Sequence, residues 1–326
     1  MSAFVNQTQL ELAVVGVSGI MALVAILCSL YLALRHQVHW HEPVEQTCIV
    51  RILMMVPIYA LGSWLAILFG DYALYFNLAR DSYEAFVLYQ FFCLLTHYFE
   101  REAAVHLDVA ETDTAHYLLE FDESPWPFPM CVLPTIEPGP EFYDLVRHCI
   151  LQYVFLKPLM ALMAIILYIK GHYHTGSFSL ADGYLWITII TTISIALCLY
   201  FLLLFYGFIA EVIERQRPML KFLSIKVLIF FVFWQSLTVS VLYYFAVLPA
   251  FFDWSVERSS NTLENLLVCL EMCVLSVAHH WIYPYPRGEP TKLLDTQRLE
   301  ELVRRTIIRD FSAVRVTTPS NRGREK

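Results

Sequence analysis

Charge is what this sequence has little of. Only 16% of its 326 residues are Asp, Glu, Lys or Arg, while 58% belong to the apolar set AVILMFWYC. An ordinary soluble domain carries about 25% charged residues. The mean hydropathy is +0.54. So apolar a composition excludes a disordered chain, and with only 11 glycines it excludes a collagen-like one. The net charge of −8 and the pI near 5.8 exclude a nucleic-acid binder. A water-soluble globule is excluded as well, because the chain has too few polar side chains to cover its surface. What remains is a multi-spanning membrane protein.

A cleavable leader and an outer pair of cysteines are also missing. The first apolar run is too long for a signal peptide, lacks a basic flank and follows Glu11. It reads as a signal-anchor helix that leaves its N-terminus outside. Six of the eight cysteines (28, 93, 149, 198, 269, 273) fall in apolar runs, and Cys48 and Cys131 fall in cytosolic loops. With none on the outer side, no disulfide is expected.

A membrane crossing takes about 20 apolar residues at about 1.5 Å each. Runs of this kind predict an all-α fold, a seven-transmembrane-helix bundle with spans near 12–34, 52–70, 77–98, 148–169, 183–210, 227–252 and 265–283. The third needs its polar flank, Asn77 to Glu84, to reach full length. With the N-terminus outside and the C-terminus cytosolic, 18 Lys and Arg fall in cytosolic segments and three outside, Arg80, Lys170 and Arg258. That asymmetry is the positive-inside pattern. The triplet Asn6-Gln7-Thr8 would place a glycosylation acceptor, Asn6, on the lumenal side.

Three further segments stand out. The 99–147 loop holds eleven acidic residues against two arginines, and six prolines from Pro125 to Pro140 that preclude regular helix. Trp126 and Phe128 suit the headgroup layer, and Cys131 beside them is a candidate for a reversible acyl chain. In the tail, 286–326, Leu299, Leu302, Val303, Ile307, Phe311 and Val314 recur at three- and four-residue steps among arginines. A basic amphipathic helix of this kind lies along an anionic leaflet, binds a partner helix or packs on the bundle itself; disorder is expected after Thr317. His36, His39, His41 and Glu42 crowd the first cytosolic loop. No further Cys or His completes a metal spacing, so they read as a solvated or headgroup-facing loop and no metal is expected.

Charges left inside apolar runs are costly, so they point to function. Lys157 and Glu271 both fall near the midplane, close enough for a direct or water-bridged pair. Pro158 is expected to kink the fourth span and open a carbonyl. His279 lies about 12 Å beyond Glu271 and roughly 80° around the helix. Arg80 and Glu84 are spaced to pair on one helix face, leaving Asp81 free to turn either way. Trp234 and Gln235 add an indole and an amide. Singly, each such group can do no more than fix helix register; together they predict a polar interior cavity.

These residues carry a resemblance. Arg51-Ile-Leu-Met-Met-Val-Pro57-Ile-Tyr59 with Ser63-Trp64, Arg80-Asp81-Ser-Tyr83-Glu84-Ala85-Phe86, and Gln152-Tyr153 with Lys157-Pro158 resemble the organic solute transporter alpha / transmembrane protein 184 family. So do Arg217-Pro218-Met-Leu-Lys221-Phe222-Leu-Ser-Ile-Lys226 leading to Phe233-Trp234-Gln235, then Glu271-Met272 and Ala278-His279-His280. The resemblance covers about His36 to Tyr285. It implies seven helices with the N-terminus out, and facilitated diffusion of amphipathic organic solutes such as steroid- or bile-acid-like anions or lipids. The transporter branch carries an acylated cysteine cluster in its long loop, of which this chain keeps only Cys131. That branch also works with a single-span beta subunit.

The resulting expectation is a transporter in the plasma membrane or an endosomal or vacuolar membrane, in contact with membrane lipids, alone, as a homo-oligomer or with a beta-type subunit. It is not expected to be an enzyme or to hold a cofactor. The candidate path residues are Lys157, Glu271, His279, Arg80, Asp81, Glu84, Gln152, Trp234 and Gln235. One alternative is a seven-helix receptor, to which only Glu100-Arg101-Glu102 bears a likeness. The others are a metal-dependent intramembrane hydrolase lacking its second acidic ligand, and a membrane-trafficking scaffold without transport activity.

Overall fold

The computed structural model describes residues 2–107, 118, 121–122, 124–127, 135–174, 179–214, 217–225, 238 and 256–285. Among these the regular structure is all helix, with no strand and a single isolated bridge, Ser124 to Ile136. Seven α-helices follow one another: α1 (Ser2–Val38), α2 (Pro43–Leu53), α3 (Met55–Leu68), α4 (Ala73–Leu107), α5 (Pro140–Ile169), α6 (Gly183–Ile209) and α7 (Val256–Ile282). Residues 218–225, between α6 and α7, are helical as well, and the residues that follow them lie outside those described. Five stretches are long and apolar enough to cross a membrane, Glu11–Val38, Pro43–Leu68, Pro140–Ile169, Gly183–Ile209 and Asn261–Ile282. The expected third span, 77–98, lies inside α4, which is not among the five, and the expected sixth, 227–252, falls outside the described residues except for 238.

Two expected loops are shorter than the uncharged runs imply. The segment 35–51 is mostly helix, because α1 continues to Val38 and α2 begins with Pro43 at its first turn. Cys48 is thus buried in a helix rather than set in a loop. A charged residue does not end a helix when it is partnered inside the bundle, and Arg51 donates to Gln90 Oε1 at 3.0 Å. The 99–147 loop likewise loses both ends, one to α4 and one to α5, which starts at Pro140. Proline is suited to the first turn of a helix, where no amide partner is needed.

Between α2 and α3 the helix breaks at Met54. Pro57 accounts for it: the ring has no N–H to offer Leu53, four residues back, and crowds that carbonyl. Pro158 has no such effect on secondary structure, since α5 runs through it unbroken. The α5 C-terminus closes through Gly171 at φ +73, with Gly171 N–H bonded to Tyr168 O and His172 N–H to Leu167 O. This pairing satisfies the last carbonyls, and the positive φ is where glycine carries no Cβ penalty.

The helices pack in the order α7, α1, α3, α4, α5, α6, each against the next, with α3 also touching α7 and α2 touching α4. Along α1 the buried residues Ser18, Ala22, Ala25, Ser29, Leu32 and His36 alternate by four and three. Small residues on such a seam let backbones approach closely, which is how helices associate where the surroundings are as apolar as the side chains. Gly19 shows how close: a Cβ there would sit 2.8 Å from Trp64 Nε1 on α3. The other faces are apolar and bare, as with Leu12, Ile20 and Leu27 of α1 and Leu159, Ile169 and Ile193 on α5 and α6. Exposed apolar area on this scale suits lipid rather than water.

Candidate functional site

The buried face of α7 carries Asn265, Cys269, Met272, Ser276 and His279 and continues to Tyr283, every one at most 2% exposed. Their spacing of three and four keeps them on one stripe about 27 Å long. A cluster of polar and charged groups sits toward each end of it.

Toward the amino end of α7 the centre is Arg80 of α4, 8% exposed. Its Nε donates to Asp81 Oδ1 at 3.1 Å, and its Nη1 donates to Ser63 Oγ at 3.1 Å and Asn265 Oδ1 at 3.3 Å. The guanidinium lies 5.3 Å from the centre of the Tyr59 ring. One cation thereby ties α3, α4 and α7, using the forked geometry only arginine has. Asp81 is its ion-pair partner, where the four-residue spacing points to Glu84; an adjacent acid reaches Nε without the guanidinium leaving Ser63 and Asn265. Glu84 is itself buried, one turn further on.

Toward the carboxyl end of α7 is a cluster that the sequence leaves hidden. Lys221, on the 218–225 helix and 7% exposed, donates to Tyr98 Oη and places its Nζ 4.4 Å from the Tyr98 ring centre. Tyr98 donates to Glu45 Oε1 at 2.9 Å, and Arg101 holds the other oxygen, Glu45 Oε2, at 3.1 Å. Tyr283 donates to Lys221 O at 3.3 Å and lies 3.4 Å from Ser224 Oγ. Burial pushes the Lys221 ammonium down to about 8, with Glu45 opposing the shift. In sequence Lys221 stands in the Arg217–Lys226 motif of the family resemblance and counts among the basic residues of a cytosolic segment, with no buried role assigned to it. The signal that could have found it is Pro218 at a helix start, with Lys221 and Ser224 three apart on one face.

The histidine group near Val38 is not solvated. His36 and His39 are buried, 1% and 7% exposed. His36 Nε2 is 3.1 Å from Tyr283 O, the Gln46 side chain donates to His36 O and His39 O, and Arg35 Nη2 donates to Tyr285 Oη at 3.2 Å. The carboxyl end of α1 therefore packs onto the residues that follow α7, and the Gln46 side chain ties α2 to that end and to His39. Among the described residues no group of three or more His, Cys, Asp or Glu is arranged to hold a metal.

The remaining candidates are scattered. Lys157 is half-buried on α5, which packs against α4 and α6, whereas Glu271 is half-buried on α7 beside α1 and α3. The structure does not bring the two together; their shared depth carries no information about which helices adjoin. Glu271 Oε2 and both ring nitrogens of His279 are buried with no hydrogen-bond partner among the described residues. Gln152 is committed to helix pairing: Nε2 donates to Ser194 O at 3.0 Å and Oε1 accepts from Ser194 Oγ at 2.9 Å. Arg101 of the Glu100-Arg101-Glu102 triplet is paired with Glu45 and Glu102. Trp234, Gln235 and Cys131 lie outside the described residues, as does the Asn6 side chain.

An apolar-faced helical bundle with buried, partnered charges is the architecture of an integral membrane protein. The comparisons narrow the class: residues 14–287 match the model of the organic solute transporter Ostalpha family, and the chain belongs to that family. A transmembrane protein 184 homolog from Dictyostelium discoideum is 38% identical over 272 residues, which are 83% of this chain and 52% of that protein. The chain thus spans about half the length of that relative. No solved structure matches it.

Proposed function

We propose that this protein is a seven-helix transporter, N-terminus outside and C-terminus cytosolic, that passes amphipathic organic solutes by facilitated diffusion. On this reading α4 supplies the third crossing and 227–252 the sixth, the carboxyl end of α7 faces the cytosol, and the acidic 99–147 segment and the 286–326 tail lie there too. Steroid- or bile-acid-like anions and lipids are the solute classes, in the plasma membrane or an endosomal or vacuolar one. The protein works alone, as a homo-oligomer or with a single-span beta-type subunit, with Asn6 glycosylated and Cys131 available for acylation.

The observation that carries the reading is Arg80. A structural salt bridge needs only its acid, yet this guanidinium also spreads onto Ser63 and Asn265, two neutral groups on two other helices. Neutral partners are exchangeable: an anionic group can replace them without separating the buried cation from its counter-ion. His279 and Glu271 on α7, whose two ring nitrogens and Oε2 respectively lack partners among the described residues, would meet the less polar body of the solute further along. The test is uptake of a steroid sulfate and a bile acid into liposomes containing the purified protein. Flux above empty liposomes that falls about tenfold in Arg80→Gln, a loss of about 1.4 kcal/mol, is the expected result. Flux equal to empty liposomes for every solute would sink the proposal.

A further inference from the structure

The carboxyl end of α1 holds a cation that no acid answers. Arg35 is half-buried in the last turn of that helix, within the apolar stretch Glu11–Val38. Arg80 and Arg101 each have a carboxylate, whereas no ion pair among the described residues involves Arg35. Its Nη2 donates at 3.2 Å to a neutral group, Tyr285 Oη, and its Nε is shut in with no acceptor among the described residues. What surrounds the guanidinium instead is a column of rings. The centre of the Tyr285 ring lies 5.0 Å from Arg35 Cζ and that of Tyr31 lies 5.7 Å from it. His280 of α7 stacks on Tyr31 at 6.2 Å, and His39 lies against Tyr285 at 5.3 Å. Ring faces attract a cation but do not cancel its charge. At the end of a crossing helix an uncancelled charge is costly until something polar meets it. Tyr285 Oη accepts from Arg35 and so keeps its own hydrogen to donate. Leu27, Leu30 and Leu34, on the turns of α1 before Arg35, are exposed, as is Trp281 next to His280.

We propose that Arg35 and Tyr285 form a binding site for the phosphate of an anionic phospholipid, in the leaflet that meets the carboxyl end of α1. The guanidinium supplies the charge, and the Tyr285 hydroxyl supplies a second hydrogen bond to the phosphate. The ring column holds the guanidinium in place beforehand, so little side-chain freedom is lost on binding. Leu27, Leu30 and Leu34 give the acyl chains a bare apolar face leading away from the phosphate, which a free phosphate would leave unused. Because Tyr285 follows α7 and His280 lies on it, a lipid bound here fastens α1 to α7. In the proposed orientation this is the cytosolic leaflet, which is the anionic one; the site rests on the transport reading for that orientation alone.

The full chain in neutral detergent would be titrated with phosphatidylserine or phosphatidylcholine of the same acyl chains, and the bound lipid read by native mass spectrometry. Wild type should retain phosphatidylserine about tenfold better than phosphatidylcholine, and Arg35→Gln should lose most of that preference. Arg147→Gln, near the amino end of α5, removes a charge on the same side of the membrane and should change the preference by less than about twofold. Equal retention of the two lipids by wild type overturns the proposal. So does an equal loss in both variants, since charge would then act without a site. Should Arg35→Gln fail to fold, Tyr285→Phe decides: a loss of about threefold is expected, and an unchanged preference overturns the site. Glycerophosphoserine carries the same phosphate without acyl chains and should not displace the lipid at equal concentration; displacement would overturn the lipid as the ligand. Solute flux is measured on the same preparations in liposomes. A preference that depends on Arg35 in a protein showing no flux removes the transport reading and leaves the site standing, and flux without the preference does the reverse.

Discussion

The two ends of the α7 stripe solve the same problem differently. At one, Arg80 is neutralised by Asp81, its own neighbour in the chain, and its remaining donors go to neutral groups on α3 and α7. At the other, Lys221 has no acid among the described residues of its own helix and reaches Glu45 through the Tyr98 hydroxyl, while Arg101 shares that carboxylate. An arginine keeps its proton at any workable pH, so the first cluster is fixed in charge. A buried lysine does not, so the second is adjustable. A local pair survives rearrangement of the helices around it; a relay through three elements does not.

The largest effect should come from removing the fixed charge. Arg80→Leu leaves Asp81 without its cation and Ser63 and Asn265 without their donor. Because Asp81 is about a third exposed, the loss should fall near the lower end of the range for a broken buried pair, about 3 kcal/mol. Arg80→Lys, which keeps charge but not the fork, should recover about half, as read by thermal unfolding in detergent. Recovery as full as wild type would mean that only charge matters at this end and would erase the contrast.

Next in size is pH dependence at the adjustable end. Lys221 titrates at about 8 when folded and near 10.5 when solvated. Between these values the unfolded chain binds more protons, so stability rises with pH across that window and is level on either side. The full amplitude is about 3 kcal/mol at 1.36 kcal/mol per unit. It is reduced by whatever hydration Glu45, Arg101, Tyr283 and His36 bring to the site. Subtracting the profile of Lys221→Met isolates it from tyrosines that titrate nearby. A flat difference between pH 8 and 10.5 would show that the ammonium is not confined as described.

Two smaller changes, at residues that belong to neither cluster, sharpen the comparison as controls. Gly19→Val would push against Trp64 and should destabilise by about 2 kcal/mol, as overpacking does, with no change in the pH profile. Gln152→Leu removes the clasp to Ser194 and should cost about 1 kcal/mol, leaving solute flux within twofold of wild type. A larger loss of flux would return Gln152 to the path.

The helices are legible in the sequence because an apolar run of the right length with at most one charge has few other uses, and α1, α3, α5, α6 and α7 all lie on such runs. Their limits are not, since Arg51 and Glu45 sit within helix once Gln90 and Tyr98 are there to receive them. The same blindness governs the site. Arg80 and Asp81 stand out as charges beside an apolar run, and proximity in sequence makes them a pair. Lys221 lies among basic residues in a segment read as cytosolic, and its partners are 123 positions back at Tyr98 and further still at Glu45. Lys157 and Glu271 fail for the converse reason: depth in the membrane is readable along one helix, adjacency between helices is not.

The lengths of the crossing helices bear on all of this. Glu11–Val38, at 28 residues, is about 40 Å long, and Pro43–Leu68, at 26 residues, follows a path nearly as long through its break at Met54; each is some 10 Å more than a hydrocarbon core. Helices that overshoot a bilayer tilt, and they tilt further in a thinner one. Tilting carries their ends sideways, and these ends are where Arg35 meets Tyr285 and Glu45 meets Tyr98. Membrane thickness therefore acts on the Lys221 relay as a mechanical load, applied through α1 and α2, to which the self-contained pair at Arg80 is insensitive.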